Sequence, residues 1–260
     1  MKSLRTRAIG LFLGLAISCT PVRAQDGAGM LDNRCRVGTQ PTIGARYLVN
    51  TAEALRTGKA FVVVALGSSS TQGFGSTSPE KSYPAQLAAI LQKRFPGKTI
   101  TVINKGVGGD TIDKMLARLP NDVLALKPNL VIWQTGTNDA IRGVNPERFR
   151  TLLDLGVRQI KSRGIDLILM TPQYAPKLTG APHYDAYRDL MHVVAARRGV
   201  TVFRRFNLSK SWSEISKVPM TTNDGLHPTD AAYRCTALLL ADHIAKQSDA
   251  AMTDDPTDNR

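Results

Sequence analysis

Short apolar runs recur along the chain, and helical spacing fills the stretches between them. The runs at 61–66, 99–104, 129–134, 166–170 and 200–204 are rich in Val, Ile, Leu and Phe and read as strands. The run at 129–134 is nearly continuous in apolar residues, the pattern of a central strand buried on both faces. Between the runs the period changes. Leu87, Ile90 and Leu91 mark a helix over 84–95 that Pro96-Gly97 ends. Residues 111–126 read as a helix broken near Pro120. Pro146 opens a helix to about 163, a favourable place for proline. Further helices are predicted at 43–56 (ended by Gly58), 184–198 (closed by Gly199), 208–215 and 229–247. Residues 248–260 are polar, lack a core face and read as a frayed tail. Strands alternating with helices predict an α/β fold, a parallel sheet covered on both faces. With no internal repeat and no linker, residues 59–247 read as one domain, preceded by an arm and leading helix at 25–58.

The first 24 residues stand apart. Lys2, Arg5 and Arg7 make a basic start, 9–17 is a short apolar run, and Val22-Arg23-Ala24 resembles a cleavage site before Gln25. Together they read as a secretory signal peptide at 1–24, whose apolar run is too short to span a bilayer comfortably. The rival is a lipoprotein signal with Cys19 lipidated, but Ala16-Ile17-Ser18-Cys19 lacks the leucine usual three residues before such a cysteine. No other segment is apolar and long enough to cross a membrane. The expected location is periplasmic or secreted. Removing the leader leaves Cys35 and Cys235, a candidate disulfide in an oxidising compartment, with two free thiols as the alternative. Nothing has zinc-ligand spacing, and no metal is expected.

Charge adds a constraint on partners. The formal +13 falls only to about +9 without the leader, whose Lys2, Arg5, Arg7 and Arg23 face no acids. Yet Arg142, Arg148, Arg150, Arg158, Lys161 and Arg163 have helix-surface spacing, and no aromatic-interleaved basic motif appears. Nucleic acid is therefore not the expected partner, whereas acidic polysaccharide or anionic lipid suits the balance.

Three strand ends carry chemistry. Gly67-Ser68-Ser69-Ser70-Thr71-Gln72-Gly73 follows the first strand and puts a small nucleophile at the carboxyl edge of the sheet, where open α/β sheets build their sites. Gly106-Val107-Gly108-Gly109 follows the second and offers unobstructed backbone N–H groups. Gly136-Thr137-Asn138-Asp139 follows the third and offers an amide. A fourth loop, Asp224-Gly225-Leu226-His227, precedes the last helix. Three residues apart on one turn, its carboxylate can reach the imidazole Nδ1–H and leave Nε2 as the base for a serine. The donors of the first three loops could then surround the oxygen of a tetrahedral intermediate. Each piece alone has a plainer reading: a serine-rich turn, a flexible glycine loop, an Asn-Asp helix cap, an Asp-Gly turn.

In this order the four blocks resemble those of the SGNH/GDSL hydrolase superfamily, over roughly residues 60–245. The resemblance implies a three-layer α/β/α sandwich with a flavodoxin-like parallel sheet. It implies Ser69 as nucleophile and N–H donor, Gly109 and Asn138 completing the oxyanion hole, His227 as base and Asp224 orienting it. It implies no cofactor, and hydrolysis of esters or thioesters, from lysophospholipids and acyl-CoA to acetylated sugars. One departure is Ser68, where that family usually has Asp. The G-x-S-x-G elbow of α/β-hydrolases is absent. Of the remaining candidates, Trp133 reads as core, Tyr174 and His183 as residues that line the site, and His192 and His243 as ordinary helix residues. The expected protein is an exported esterase for small-molecule, polysaccharide or lipid esters, with short acyl groups favoured. The alternatives are a lysophospholipase or thioesterase for longer chains and a non-catalytic envelope polysaccharide-binding protein on the same fold.

Overall fold

In a computed structural model that describes residues 35, 38, 40–44, 47–181 and 183–253, six strands form one sheet. The predicted leader at 1–24, with Cys19, and residues 254–260 of the predicted tail lie outside the described residues. The strands are β1 (Thr42–Ile43), β2 (Phe61–Gly67), β3 (Ile100–Gly106), β4 (Leu130–Gln134), β5 (Asp166–Met170) and β6 (Thr201–Phe203). The helices are α1 (Val49–Thr57), α2 (Ser69–Gln72), α3 (Tyr83–Arg94), α4 (Ile112–Asp122), α5 (Thr137–Ile141), α6 (Pro146–Lys161), α7 (Tyr184–Arg198), α8 (Arg205–Ile215) and α9 (Asp230–Thr253).

The strand order is β1-β6-β5-β4-β2-β3, and β2 to β6 run parallel. In β2, Val63 lies opposite Val102 of β3 on one side and Leu130 of β4 on the other. The chain leaves β2 for one neighbour and later returns to the other. That reversal is the topological switch point of a flavodoxin-like sheet, and it opens a crevice at the carboxyl ends of β2 and β4.

The alternation along β2 explains its unbroken apolar run. Phe61, Val63 and Ala65 enter one core with Leu87 and Leu91 of α3 and Leu240 of α9. Val64 and Leu66 enter the other with Met115 and Leu119 of α4 and Leu153 of α6. Helices α1, α3, α8 and α9 cover the first face, α4, α6 and α7 the second. Each fully buried aliphatic side chain contributes about 1.5–3 kcal/mol. Trp133 is buried in the second core, against Gly156 of α6, where an added Cβ would lie 2.4 Å from the indole ring.

Four sequence expectations need correction. The predicted leading helix from 43 begins only at Val49, because Thr42 and Ile43 pair antiparallel with Phe203 and Val202. Gly44, at φ +85°, ends that strand. The sheet is therefore mixed, with an antiparallel edge, rather than wholly parallel. Helix α4 also runs through Pro120 to Asp122. Pro120 is exposed, so water can take the lost hydrogen bond, and the break falls after Asp122. Finally, α9 continues past 247 to Thr253, since Ser248 is buried and its Oγ donates to Ile244 O at 2.7 Å.

Cys35 and Cys235 are joined by a disulfide that ties the N-terminal segment to α9, and Trp212 Nε1 donates to Cys35 O at 3.4 Å. Among the described residues no helix is long and apolar enough to cross a membrane, and no group of three His, Cys, Asp or Glu could hold a metal ion.

Candidate active site

The turn from β2 into α2 is too tight for side chains. A Cβ at Gly67 would lie 2.1 Å from Thr71 Oγ1. Gln134, the last residue of β4, aims its Oε1 at the underside of this turn. That oxygen accepts from Ser68 N at 2.9 Å, Ser68 Oγ at 3.0 Å, Thr71 Oγ1 at 3.2 Å and Ser70 Oγ at 3.3 Å. Ser68 and Ser70 are thereby turned inward and buried, and of the three adjacent serines only Ser69 stands half-exposed at the crevice. The Ser68 hydroxyl donates to an amide oxygen, a bond that an ionised Asp could not make.

Ser69 Oγ lies 3.0 Å from His227 Nε2, and His227 Nδ1 lies 2.5 Å from Asp224 Oδ2. Asp224 Oδ1 accepts from Thr222 Oγ1 at 2.7 Å, Leu226 N at 2.8 Å and His227 N at 2.9 Å. Partial burial pushes the Asp224 carboxyl up, but the bonds from His227, Thr222 and the two backbone N–H groups outweigh it and hold it below the usual carboxylate range. The imidazole is pressed toward Ser69 from behind. Gly75 leaves no room for a side chain, since a Cβ there would lie 2.9 Å from His227 Cβ. The Phe74 ring centroid is 4.5 Å from that of His227. Tyr233 of α9 donates to Phe74 O at 2.7 Å, which fixes this loop to the last helix.

Gly109 and Asn138 arrive beside the same turn. Gly108 N donates to Gln72 Oε1 at 2.9 Å, locking the loop after β3 onto α2. Gly109 takes φ +78°, a left-handed conformation that favours glycine. Asn138 Nδ2 donates to Asp110 O at 2.8 Å, so its amide lies against the backbone that follows Gly109 and keeps a second N–H. Ser69 opens α2, and an N–H of a first helical turn has no partner within the helix. The third loop is pinned by Asp139, which accepts from Ile112 N at 3.0 Å and Gly136 N at 3.2 Å. Burial pushes the Asp139 carboxyl up to about 6.

The structure thus brings Ser69, Asp224 and His227 into one chain of contacts, with Gly109 and Asn138 alongside. Tyr174 and His183 line a separate pocket of about 300 Å³ with Tyr184 and Phe206. Its loop touches the Asp224–His227 segment through Lys177 N, which donates to Gly225 O at 2.9 Å. His243 is buried in α9 against Thr42 Oγ1, and burial lowers it to about 4. His192 is half-buried in α7. Three residues of the site escaped the sequence reading: Gln134, Gln173 and Arg205. A glutamine ending an otherwise apolar strand was the one available signal, for Gln134.

The model of the non-GDSL lipase-like family matches residues 34–250. An arylesterase of Vibrio mimicus is 30% identical over 184 residues, covering 71% of this chain and 88% of that protein. The thioesterase 1/protease 1/lysophospholipase L1 of Escherichia coli K12 is 26% identical over 196 residues, 74% of this chain and 85% of that one. Among solved structures, a two-domain esterase active on acetylated mannans superposes with a TM-score of 0.67 at 24% identity, a likeness of fold. That alignment covers 79% of this chain and 54% of the two-domain esterase, so this chain spans about half its length.

Proposed function

The chain belongs to the non-GDSL lipase-like family, and on that premise we propose that it is an exported serine hydrolase that cleaves carboxylic esters through an acyl-enzyme. The observation that carries this reading is the unbroken relay from Asp224 through His227 to Ser69 Oγ. Ser69 Oγ attacks the ester carbonyl carbon while His227 Nε2 takes its proton. Asp224 keeps the imidazole in the tautomer that leaves Nε2 free and then stabilises the imidazolium. The carbonyl oxygen, now negative, accepts from the N–H groups of Ser69 and Gly109 and from the second Asn138 N–H. His227 returns the proton to the departing alcohol. Water, activated by the same imidazole, then releases the acid.

Export is supported by the leader pattern at 1–24 and by the Cys35–Cys235 disulfide, a bond of oxidising compartments. Short acyl groups are favoured because the apolar side chains of the loops that carry the site, Phe74, Val107 and Ile141, stand 60%, 44% and 50% exposed, an open rim rather than a filled acyl groove. A second reading is a lysophospholipase or thioesterase for longer acyl chains. The likeness to the Escherichia coli enzyme agrees with it.

Hydrolysis of 4-nitrophenyl esters from acetate to palmitate separates the readings. The expected result is highest kcat/KM on acetate, with kcat falling about a million-fold in Ser69→Ala. A maximum at long chains moves the assignment to the second reading. Full activity in Ser69→Ala ends the serine mechanism. Wild-type inactivity at every chain length favours a binding protein on this fold.

A further inference from the structure

Behind the nucleophile turn lies a cation that the proposed chemistry does not use. Arg205 opens α8 and is 3% exposed. Its Nε donates to Thr171 O at 3.0 Å, Nη1 to Ser70 Oγ at 2.8 Å and Nη2 to Gln173 Oε1 at 2.6 Å. No carboxylate pairs with it among the described residues. The ionisable groups that act on it are the phenols of Tyr184, Tyr83 and Tyr233. Burial keeps these protonated, Tyr83 being pushed up to about 12. A buried guanidinium surrounded only by neutral dipoles is costly to hold, so its bonds are the place to look for its use.

Those bonds converge on the site. Ser70 adjoins Ser69 and passes its own proton toward Gln134 Oε1 at 3.3 Å. Gln173 is 4% exposed and works in two directions. Its Oε1 also accepts from Thr137 Oγ1 at 3.3 Å, next to Asn138, and its Nε2 donates to Leu226 O at 3.2 Å, next to His227. One guanidinium, through two side chains, therefore reaches the residue beside each of Ser69, Asn138 and His227. These three loops are far apart in the chain and come from different edges of the crevice, so noncovalent contacts must set their registry. Charge-assisted bonds are shorter and stronger than neutral ones. The rigid guanidinium fork also fixes three directions at once, which a lysine ammonium cannot.

We propose that Arg205 is a positioning residue for ester hydrolysis: it holds the loops of Ser69, Asn138 and His227 in one frame through Ser70 and Gln173. The proposal rests on the serine hydrolase reading above.

The test measures kcat and KM on 4-nitrophenyl acetate per folded molecule, with the folded fraction taken from circular dichroism. The variants are Arg205→Met, Arg205→Lys, Ser70→Ala, Gln173→Met and the Arg205→Met/Ser70→Ala pair. Arg205→Met is expected to lower kcat about a hundredfold with KM within about threefold, the scale of a small misplacement of reacting groups. Ser70→Ala and Gln173→Met each fall about tenfold, and Arg205→Lys lies between these and Arg205→Met. Ser70→Ala is expected to cost nothing further once Arg205 is Met, because the two act through one contact. If Arg205→Met does not fold, Ser70→Ala and Gln173→Met decide. Unchanged kcat per folded molecule in those two, with only the thermal midpoint lowered, overturns the proposal. Activity surviving in Ser69→Ala strikes at the hydrolase reading instead, so the two failures are distinct.

Discussion

Beneath Ser69, the hydroxyls of Ser68, Ser70 and Thr71 all converge on one amide oxygen of Gln134, whereas around it Phe74, Val107 and Ile141 face solvent and the Arg142 guanidinium has no hydrogen-bond or ion-pair partner among the described residues. The floor is dry, polar and bonded; the rim is apolar, charged and open. Gln134 Nε2 is buried without a partner, but a buried polar group that loses its bonds is expensive, so the hydroxyls gathered on Gln134 Oε1 hold one arrangement and move only at high cost. An exposed rim has no such constraint and can change with little effect on folding. Rate should therefore belong to the floor and the relay above it, and substrate choice to the rim.

The largest expected effect lies in the relay. Asp224→Asn keeps the shape and loses the charge that orients His227, so the imidazole can take the wrong tautomer. The expected result is a fall of about 10⁴ in kcat with KM little changed. A fall of less than about tenfold would mean that the backbone N–H groups of Leu226 and His227 hold the loop without the carboxylate, and that the imidazole is oriented by something else.

A middle-sized effect is expected below the third loop and reads on stability. Burial raises the Asp139 carboxyl to about 6. The folded protein therefore binds this proton more tightly than the unfolded chain, whose carboxyl titrates near 4. The sign follows: the contribution to stability is full below about pH 4 and is lost as pH rises through about 6, up to about 3 kcal/mol. Asp139→Asn cannot titrate and should remove this slope between pH 4 and pH 6 in urea titrations. An unaltered slope in the variant would place the titrating group elsewhere.

Most of this architecture could be read from the chain. Strands β2, β4, β5 and β6 announce themselves because buried parallel strands are continuous apolar runs, β3 more weakly because this edge strand mixes Thr101, Asn104 and Lys105 into its run. The longer helices do so because Pro, Gly and apolar spacing mark them; the short α2 and α5 read only as loops. The four chemical blocks were legible because their geometry is local: Asp224 reaches His227 within three residues, and Gly67 must be glycine beside Thr71. Strand β1 was missed because two residues carry no period, and its pairing is made by β6, far along the chain. The floor was illegible for the same reason. Gln134 meets Ser68 across 66 residues and Arg205 meets Ser70 across 135. No spacing rule relates such positions, and an arginine after a strand resembles any surface arginine until its burial is known.

The smallest expected effect belongs to the rim, and it asks whether the charge there selects substrates. The Arg142 guanidinium ends α5 with Nη2 3.3 Å from where a Cβ on Gly109 would lie, so it stands beside a candidate oxyanion donor. The nearby Asp110 is already held by Arg118 Nε at 2.8 Å and leaves Arg142 uncompensated. A substrate carrying an anion near its scissile ester would supply the missing charge, in keeping with the basic balance of the whole chain. The comparison to make is mono-4-nitrophenyl succinate against 4-nitrophenyl butyrate, which share a leaving group and differ in a terminal carboxylate. Arg142→Gln should lower the succinate-to-butyrate ratio of kcat/KM about two- to fivefold, the range of an exposed ion pair. Raising the salt should erase the same preference in the wild type while leaving the variant unmoved. A ratio indifferent to both changes would mean that Arg142 is only a solvated side chain, and that selection at the rim is left to Phe74, Val107 and Ile141.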